Sequence, residues 1–361
     1  MSRVLHLISS NQRRGAEVFG VELAAELRSR GHEVNVLAVG PSTVGPWLDV
    51  DVAGASRRDP RGFARTVHAA RHAEVVVSFG SVSLQNAALA CAVARRPFVY
   101  RNIGDPAAWH NVRLRWLRVG VPLRRASAIV AVFPAAGDCI SGMYGVPTSA
   151  IRVIPRGVDP TRFTPVSAAE RLAARHSLGL DPERPWLAFI GSLSEEKDPM
   201  LALDVAERLD SVGLVIAGDG PLLDAVRGRG EGMGGRVRVL GPVDDVRTVL
   251  AAADALLLTS RTEGVPGVLI EAALTGLPAI ASEVGGVPSA LVDGETGVLA
   301  AHGDLDGFVS GAEAVIAQSG AMGESARDLC SQRFSLSIVG DAWESLIGDV
   351  INRRLHRSAA H

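Results

Sequence analysis

No apolar run in this 361-residue chain approaches the ~20 residues that a bilayer-spanning helix needs, so a membrane-spanning protein is not expected. Cysteine is scarce. Cys91, Cys139 and Cys330 are scattered without metal-ligand spacing, which fits buried thiols in a reducing compartment rather than a zinc site or a disulfide framework. An excess of basic charge is also missing. The formal net charge is −2, which gives no electrostatic case for nucleic acid. The first nine residues carry one basic side chain and a short apolar run, and read as a first strand rather than a leader. The expected location is the cytoplasm. What the chain has instead is apolar mass: 47% hydrophobic residues, enough for a sizeable core. Its length suggests about two domains at ~150 residues each.

The most informative stretch runs from Arg261 to Gly276. An apolar run, Ala255–Thr259, reads as a buried strand; a turn with two glycines and a proline follows, then an apolar helix. Pro266 suits a first helical turn because it has no N–H to lose, and Gly276 suits the stop. Glu263 precedes this helix start and Glu271 lies inside the helix. Between them come the unpaired N–H groups of a helix N-terminus, which favour phosphate. Two acids flanking an anion site can hold hydroxyls on both sides of a diphosphate, which is the shape of a nucleotide-sugar. The ordinary explanation for acids near a helix start is the helix dipole, worth ~0.3–1 kcal/mol, so support is needed elsewhere.

Taken in order, Val4–Ile8, a polar loop ending at Gly15, a helix over 16–30 and a strand over 34–39 give the opening of a doubly wound α/β sheet. Further buried strands are expected at Val75–Phe79, Phe98–Tyr100, Ile129–Phe133 and 151–154. Ser56–Arg61 reads as a charged turn. Asp49 and Asp51 have the Asp-x-Asp form used to hold a metal on a diphosphate, but they sit in an irregular stretch, and no metal is expected. Residues 108–125 combine tryptophans with arginines, which suits either peripheral contact with an anionic membrane or an ordinary solvated helix. Pro160–Arg184, rich in Ala, Arg, Pro and Ser, reads as an interdomain linker. At Trp186 the strand–loop–helix–strand order restarts, through Trp186–Ile190, a helix at Pro199–Leu209 and Gly213–Ala217. Strands at Arg236–Leu240, Ala279–Ser282 and Gly297–Ala300 follow, and an amphipathic helix over 335–354 closes the chain.

These residues resemble the retaining family-four glycosyltransferases. The resemblance rests on Gly15–Glu17, Ile154–Asp159, Gly191 with Glu196-Lys197, Ala217–Pro221, Glu263-x7-Glu271 and Gly285–Pro288, in that order. It implies the GT-B fold, two Rossmann-like domains facing a cleft: an acceptor-side domain over 1–165, a nucleotide-sugar domain over 166–334, and a helix over 335–361 crossing back. Transfer from a UDP- or GDP-linked sugar with retained configuration, without a metal or other cofactor, is implied. The acceptor would be a small molecule, a glycan or a lipid-linked species. By the same resemblance Lys197 contacts the diphosphate and Glu263 the sugar, these two being the catalytic pair. Gly15, Ala16, Ser192, Leu240, Gly264, Val265, Pro266, Gly267, Val268 and Glu271 complete the donor contacts, with Leu240 at the base and Glu271 at the ribose. Arg101, Asn102 and Asp105 are the candidates for positioning sugar or acceptor.

Two departures stand out. The family usually places Arg where this chain has Ser192, and a hydroxyl cannot replace a two-pronged cation. Arg156 and Arg261 are candidates to supply the charge. The family's His after the strand ending at Tyr100 is absent, and His110 reads as a packing residue. Three other functions fit parts of the pattern: a nucleotide-sugar 2-epimerase of the same fold, a non-catalytic sugar-nucleotide binder, and a nicotinamide-dependent oxidoreductase. The last is weakened because Gly218-Asp-Gly220 lacks a third glycine.

Overall fold

The computed structural model describes residues 1–43, 45–106 and 116–359. The chain divides into two compact units, Met1–Gly157 with Leu336–His361, and Val158–Ser335. The first break therefore falls within Ile154–Asp159, upstream of the expected 165/166 boundary. Pro160–Arg184 is not a free linker: it carries a helix bound into the second unit, described below.

In the first unit the elements run β1 (Arg3–Ser10), α1 (Gly15–Ser29), β2 (Glu33–Gly40), β3 (Asp51–Val52), α2 (Pro60–His72), β4 (Val75–Phe79) and α3 (Ser81–Ala94). They continue with β5 (Phe98–Arg101), a π-helical turn at Trp116–Gly120, α4 (Val121–Arg125), β6 (Ala128–Ala131), α5 (Pro134–Tyr144) and β7 (Ile151–Val153). The sheet order is β3-β2-β1-β4-β5-β6-β7, and its named pairings are all parallel. β4 is buried at every residue, which is why it reads as an unbroken apolar run rather than an alternation. The expected charged turn at Ser56–Arg61 instead leads into α2: Asp59 Oδ1 accepts the Arg61 N–H at 2.9 Å and caps the helix, with Pro60 in its first turn. Of the stretch 108–125, residues 108–115, with His110, lie outside the described residues. Among the described residues no helix is long and apolar enough to cross a membrane.

The second unit runs α6 (Ala168–Leu178), β8 (Trp186–Ile190), α7 (Pro199–Arg208), β9 (Gly213–Ala217), α8 (Leu223–Glu231), β10 (Val237–Gly241), α9 (Arg247–Ala252) and β11 (Ala255–Leu258). Then come α10 (Gly267–Leu274), β12 (Ala279–Ser282), β13 (Gly297–Ala300), α11 (Leu305–Ala317) and α12 (Ser319–Phe334). Its parallel sheet has the order β10-β9-β8-β11-β12-β13. α6 opens with a capping box between Ser167 and Glu170. Its Arg171 and Arg175 reach Asp254 at 2.8 and 2.6 Å. α13 (Leu336–Ala359) returns to the first unit, where Trp343 stacks on Phe79 with ring centroids 6.3 Å apart and Arg30 Nη2 donates to the Ser337 carbonyl at 2.7 Å.

One core residue of the first unit sets a pH dependence. His6 is fully buried, with Nδ1 against the Gly20 carbonyl at 2.8 Å, and burial lowers its pKa to about 4. Folding therefore favours the neutral ring. The stabilisation is complete above the free-histidine value near 6.5 and declines as pH falls from there towards 4. A shift of this size is worth on the order of 3 kcal/mol. Denaturant unfolding at several pH values should show that His6→Asn loses this slope while the native chain keeps it. Parallel curves for the two chains between pH 6.5 and 4 would refute the assignment.

Candidate functional site

The strand order of the second unit reverses between β8 and β11, the point where open α/β sheets take ligands at the carboxyl ends of the strands. The loops leaving these two strands carry Lys197 and Glu263. Lys197 Nζ donates to Glu263 Oε1 at 2.6 Å, and Ser260 Oγ donates to the same oxygen at 2.7 Å. The Glu263 side chain is 6% exposed and that of Lys197 25%, so the carboxylate is shielded while the ammonium still reaches solvent. Lys197 is also the one lysine in the sequence; every other Lys/Arg position is arginine. A compact ammonium on a flexible stem is used here, where elsewhere the chain uses a planar fork.

Asp198 ties the surroundings together. It sits in the left-handed region at φ 48°, and its side chain caps α7. Oδ1 accepts the Leu201 N–H at 3.3 Å, and Oδ2 faces Arg261 Nη2 at 2.8 Å and His302 Nε2 at 3.1 Å. Thr259 Oγ1 donates to the Lys197 and Asp198 carbonyls at 3.1 and 2.8 Å, and the Arg261 N–H donates to the Glu196 carbonyl at 2.8 Å. The two loops are thus cross-linked beneath the Lys197–Glu263 pair. Arg261 stands in this cluster, whereas Ser192 is an exposed residue of the β8 loop.

α10 begins at Gly267 with Pro266 as its N-cap residue and no side-chain cap. The first-turn N–H groups, starting with Gly267 and Val268, have no intrahelical partner. Glu271 follows one turn later and is half-buried. Gly264 accepts the Gly286 N–H at 2.9 Å, which ties the Glu263–Gly264 backbone to the loop after β12. Val265 and Pro266 are buried beneath it. Leu240 lies on the edge strand β10, two strands from β8, and is half-buried. Among the described residues no group of three or more His, Cys, Asp or Glu side chains is arranged to hold a metal ion.

The remaining candidates belong to the first unit. Gly15 is exposed and Ala16 half-buried at the start of α1, and burial raises the pKa of Glu17 beside them. Arg101 ends β5 and is only 3% exposed. Asn102 is fully buried, and its amide is committed to Gly104: Nδ2 donates to the Gly104 carbonyl at 3.0 Å and Oδ1 accepts the Gly104 N–H at 3.1 Å. Its side chain shapes the turn that carries Asp105, which is half-buried. The sequence reading overlooked Asp198, Ser260 and His302. Asp198 had a visible signal, an acid directly before Pro199 at a helix start; His302 had none, being 104 residues away in the chain.

Comparison with known proteins gives three results. Residues 184–318 match the family described as glycosyl transferases group 1, and residues 13–162 match glycosyltransferase family 4. A D-inositol 3-phosphate glycosyltransferase of Actinosynnema mirum is 34% identical over 52% of this chain and 49% of its own length. The match thus spans about half the length of that relative. Among solved structures, Anabaena Alr3699/HepE in complex with UDP-glucose superposes with a TM-score of 0.85, covering 97% of this chain and 100% of that one at 22% identity. The sucrose-phosphate synthase of Thermosynechococcus elongatus gives 0.79, covering 99% and 100% at 18% identity. The fold is that of the GT-B glycosyltransferases, and the sequence matches support a place among their families.

Proposed function

We propose that this chain is a glycosyltransferase that takes a sugar from a nucleoside diphosphate donor, retains its configuration and needs no metal. The observation that carries the reading is the pair of Lys197 and Glu263 at the switch point of the second sheet, beside the uncapped start of α10. Cleavage of a glycosyl–phosphate bond leaves added negative charge on the diphosphate. An ammonium at ~4 Å contributes up to ~4 kcal/mol at an effective dielectric near 20, and a helix N-terminus adds to it without reorganising. With donor bound, phosphate oxygens would take the place of the carboxylate at Lys197, and sugar hydroxyls that of the ammonium at Glu263. Ser260 keeps the carboxylate oriented when the ammonium turns to phosphate. Arg261 supports the same loop through Asp198 and is our candidate for the second cation near the diphosphate. UDP-sugars are the donor class favoured by the UDP-glucose complex of the Anabaena protein. The name of the Actinosynnema relative points to a phosphorylated polyol among small-molecule acceptors.

The single lysine makes a direct test available. An amine-reactive reagent can modify only Lys197 and the α-amino group of the chain. We expect it to stop donor hydrolysis and transfer, a UDP-sugar to protect Lys197, and wild-type turnover to continue in excess EDTA. Full activity with Lys197 quantitatively modified would overturn the assignment. Release of the free sugar 2-epimer from donor alone would indicate the epimerase instead.

A further inference from the structure

Asp198 gives one carboxylate oxygen to the fold and the other to two cations. Oδ1 caps α7 through the Leu201 N–H. Oδ2 is shared by Arg261 Nη2 at 2.8 Å and His302 Nε2 at 3.1 Å. A carboxylate only accepts, so His302 Nε2 carries the hydrogen of that bond and Nδ1 is the nitrogen left to take a proton. The three side chains differ in enclosure: Arg261 is 58% exposed, His302 28% and Asp198 12%. Among the described residues Asp198 is the one acceptor of the Arg261 guanidinium, while the Arg261 main chain is held separately by its N–H bond to the Glu196 carbonyl. The guanidinium can therefore turn without moving the loop. At Ser192, where the family usually has Arg, a hydroxyl stands in an exposed loop, so a mobile arginine nearby has a use.

We propose that Asp198 stores Arg261 in the unliganded protein, and that His302 takes over Asp198 when Arg261 turns to the donor diphosphate, with a proton passing from solvent to His302 Nδ1. The exchange rests on the glycosyltransferase reading, which supplies the diphosphate. Releasing Arg261 costs little, because an ion pair with a half-exposed guanidinium gains little in water. Leaving the enclosed Asp198 without a cation would cost more, and His302 prevents it. While Arg261 occupies Oδ2, a charge on the imidazole would face it across one oxygen. Once Arg261 has turned away, the same oxygen favours that charge. The proton returns to solvent when the nucleotide leaves. The other charged groups on the surrounding loops are Glu195, Glu196 and Lys197 after β8, Glu263 after β11, Glu283 after β12 and Asp304 before α11. Lys197 and Glu263 pair with each other, and Asp304 caps α11 through the Gly307 N–H. Among the described residues Asp198 is the one acid in contact with the imidazole. His302 and Asp198 are thus positioning residues that act through Arg261.

Titration calorimetry of UDP and GDP binding to the full chain near pH ~7, in two buffers of different ionisation enthalpy, counts the protons taken up. The nucleotide has an ionisation of its own, so His302→Gln is the reference: Gln keeps an N–H for Oδ2 and takes no proton. Wild type should take up more protons per nucleotide than His302→Gln and bind it roughly tenfold more tightly. That advantage should shrink as pH rises beyond the histidine range, because the charged ring carries it. In turnover, His302→Gln should raise the donor KM more than it lowers kcat. Arg261→Gln should weaken binding to a similar extent without the extra uptake. Asp198→Asn should do the opposite. Asn caps a helix as Asp does and tolerates the left-handed φ of 48°, so the fold is kept while Arg261 is no longer stored. This variant should bind nucleotide at least as tightly as wild type, again without the extra uptake. Equal proton uptake in wild type and His302→Gln would overturn the exchange, as would weakened binding in Asp198→Asn. Extra uptake on binding but no transfer from any donor would instead end the glycosyltransferase reading alone. Absence of nucleotide binding in wild type would end both.

Discussion

Removing either member of the Lys197–Glu263 pair should cost turnover about two to three orders of magnitude, with different consequences for stability. On the proposed mechanism Lys197→Met deletes the charge that would meet the leaving diphosphate, and ~3–4 kcal/mol of lost transition-state stabilisation corresponds to a factor of ~10²–10³. It also leaves the shielded Glu263 carboxylate with Ser260 Oγ as its remaining donor. Stranding a carboxylate in a fully buried pair costs ~3–5 kcal/mol, and the partial exposure of the lysine lowers this to roughly 1–3 kcal/mol here. Glu263→Gln keeps the shape and strands the ammonium, which is a quarter exposed and can turn to water, so its stability loss should be smaller. The double variant should be more stable than the two single losses added together predict, because neither partner is left behind. Donor affinity, kcat and denaturant unfolding on the four chains would check all of this. Independent, additive effects on both turnover and stability would separate the pair from the chemistry.

How much of this was legible follows from the residues. Val75–Phe79, Trp186–Ile190, Gly213–Ala217 and Ala279–Ser282 are legible at their observed bounds, because strands covered on both faces are continuous apolar runs closed by polar or glycine residues; Gly297–Ala300 is legible too, although it is an edge strand with Val298 and Leu299 half-buried. The Ala- and Arg-rich composition of Pro160–Arg184 masks α6, although Ser167 and Glu170 carry the spacing of a capping box. Asp59-Pro60 was read as a turn although it opens α2. The loops with Lys197 and Glu263 were legible because each follows a recognisable strand. The resemblance puts them in one site, one at the diphosphate and one at the sugar; their direct contact is a finding of the structure, since nothing local states that residues 66 apart meet. Arg101 was picked as a positioning residue, but its burial on Phe19 and its nearness to Arg156 depend on α1, β5 and the segment after β7 converging. Periodicity identifies elements; it does not say which strand ends share a corner.

Gly285→Ala should disable the site without touching any side chain in it. Gly285 has φ +52°, and a Cβ there would lie 1.9 Å from the Glu263 carbonyl oxygen. Backbone cannot yield as the end of a flexible side chain does. Either the loop after β12 moves away, which breaks the Gly286 N–H bond to the Gly264 carbonyl, or the Glu263–Gly264 segment moves. Both routes displace Glu263 from Lys197, and a misplacement of about 1 Å can cost on the order of a hundredfold in rate. The expected result is a loss of turnover comparable to that of Glu263→Gln, with a destabilisation of about 1–3 kcal/mol from strain and lost hydrogen bonding. Gly294→Ala is the matched control. It also has a positive φ, at +74°, but a Cβ there has nothing within 4 Å, so it should incur the conformational cost alone and keep its activity. Equal turnover in the two variants would show that the close approach of Gly285 to Glu263 is not what positions the carboxylate. A selective loss in Gly285→Ala would mean that the Gly285–Pro288 turn serves the site as a backbone brace, and that its glycine is required by the distance to one carbonyl oxygen.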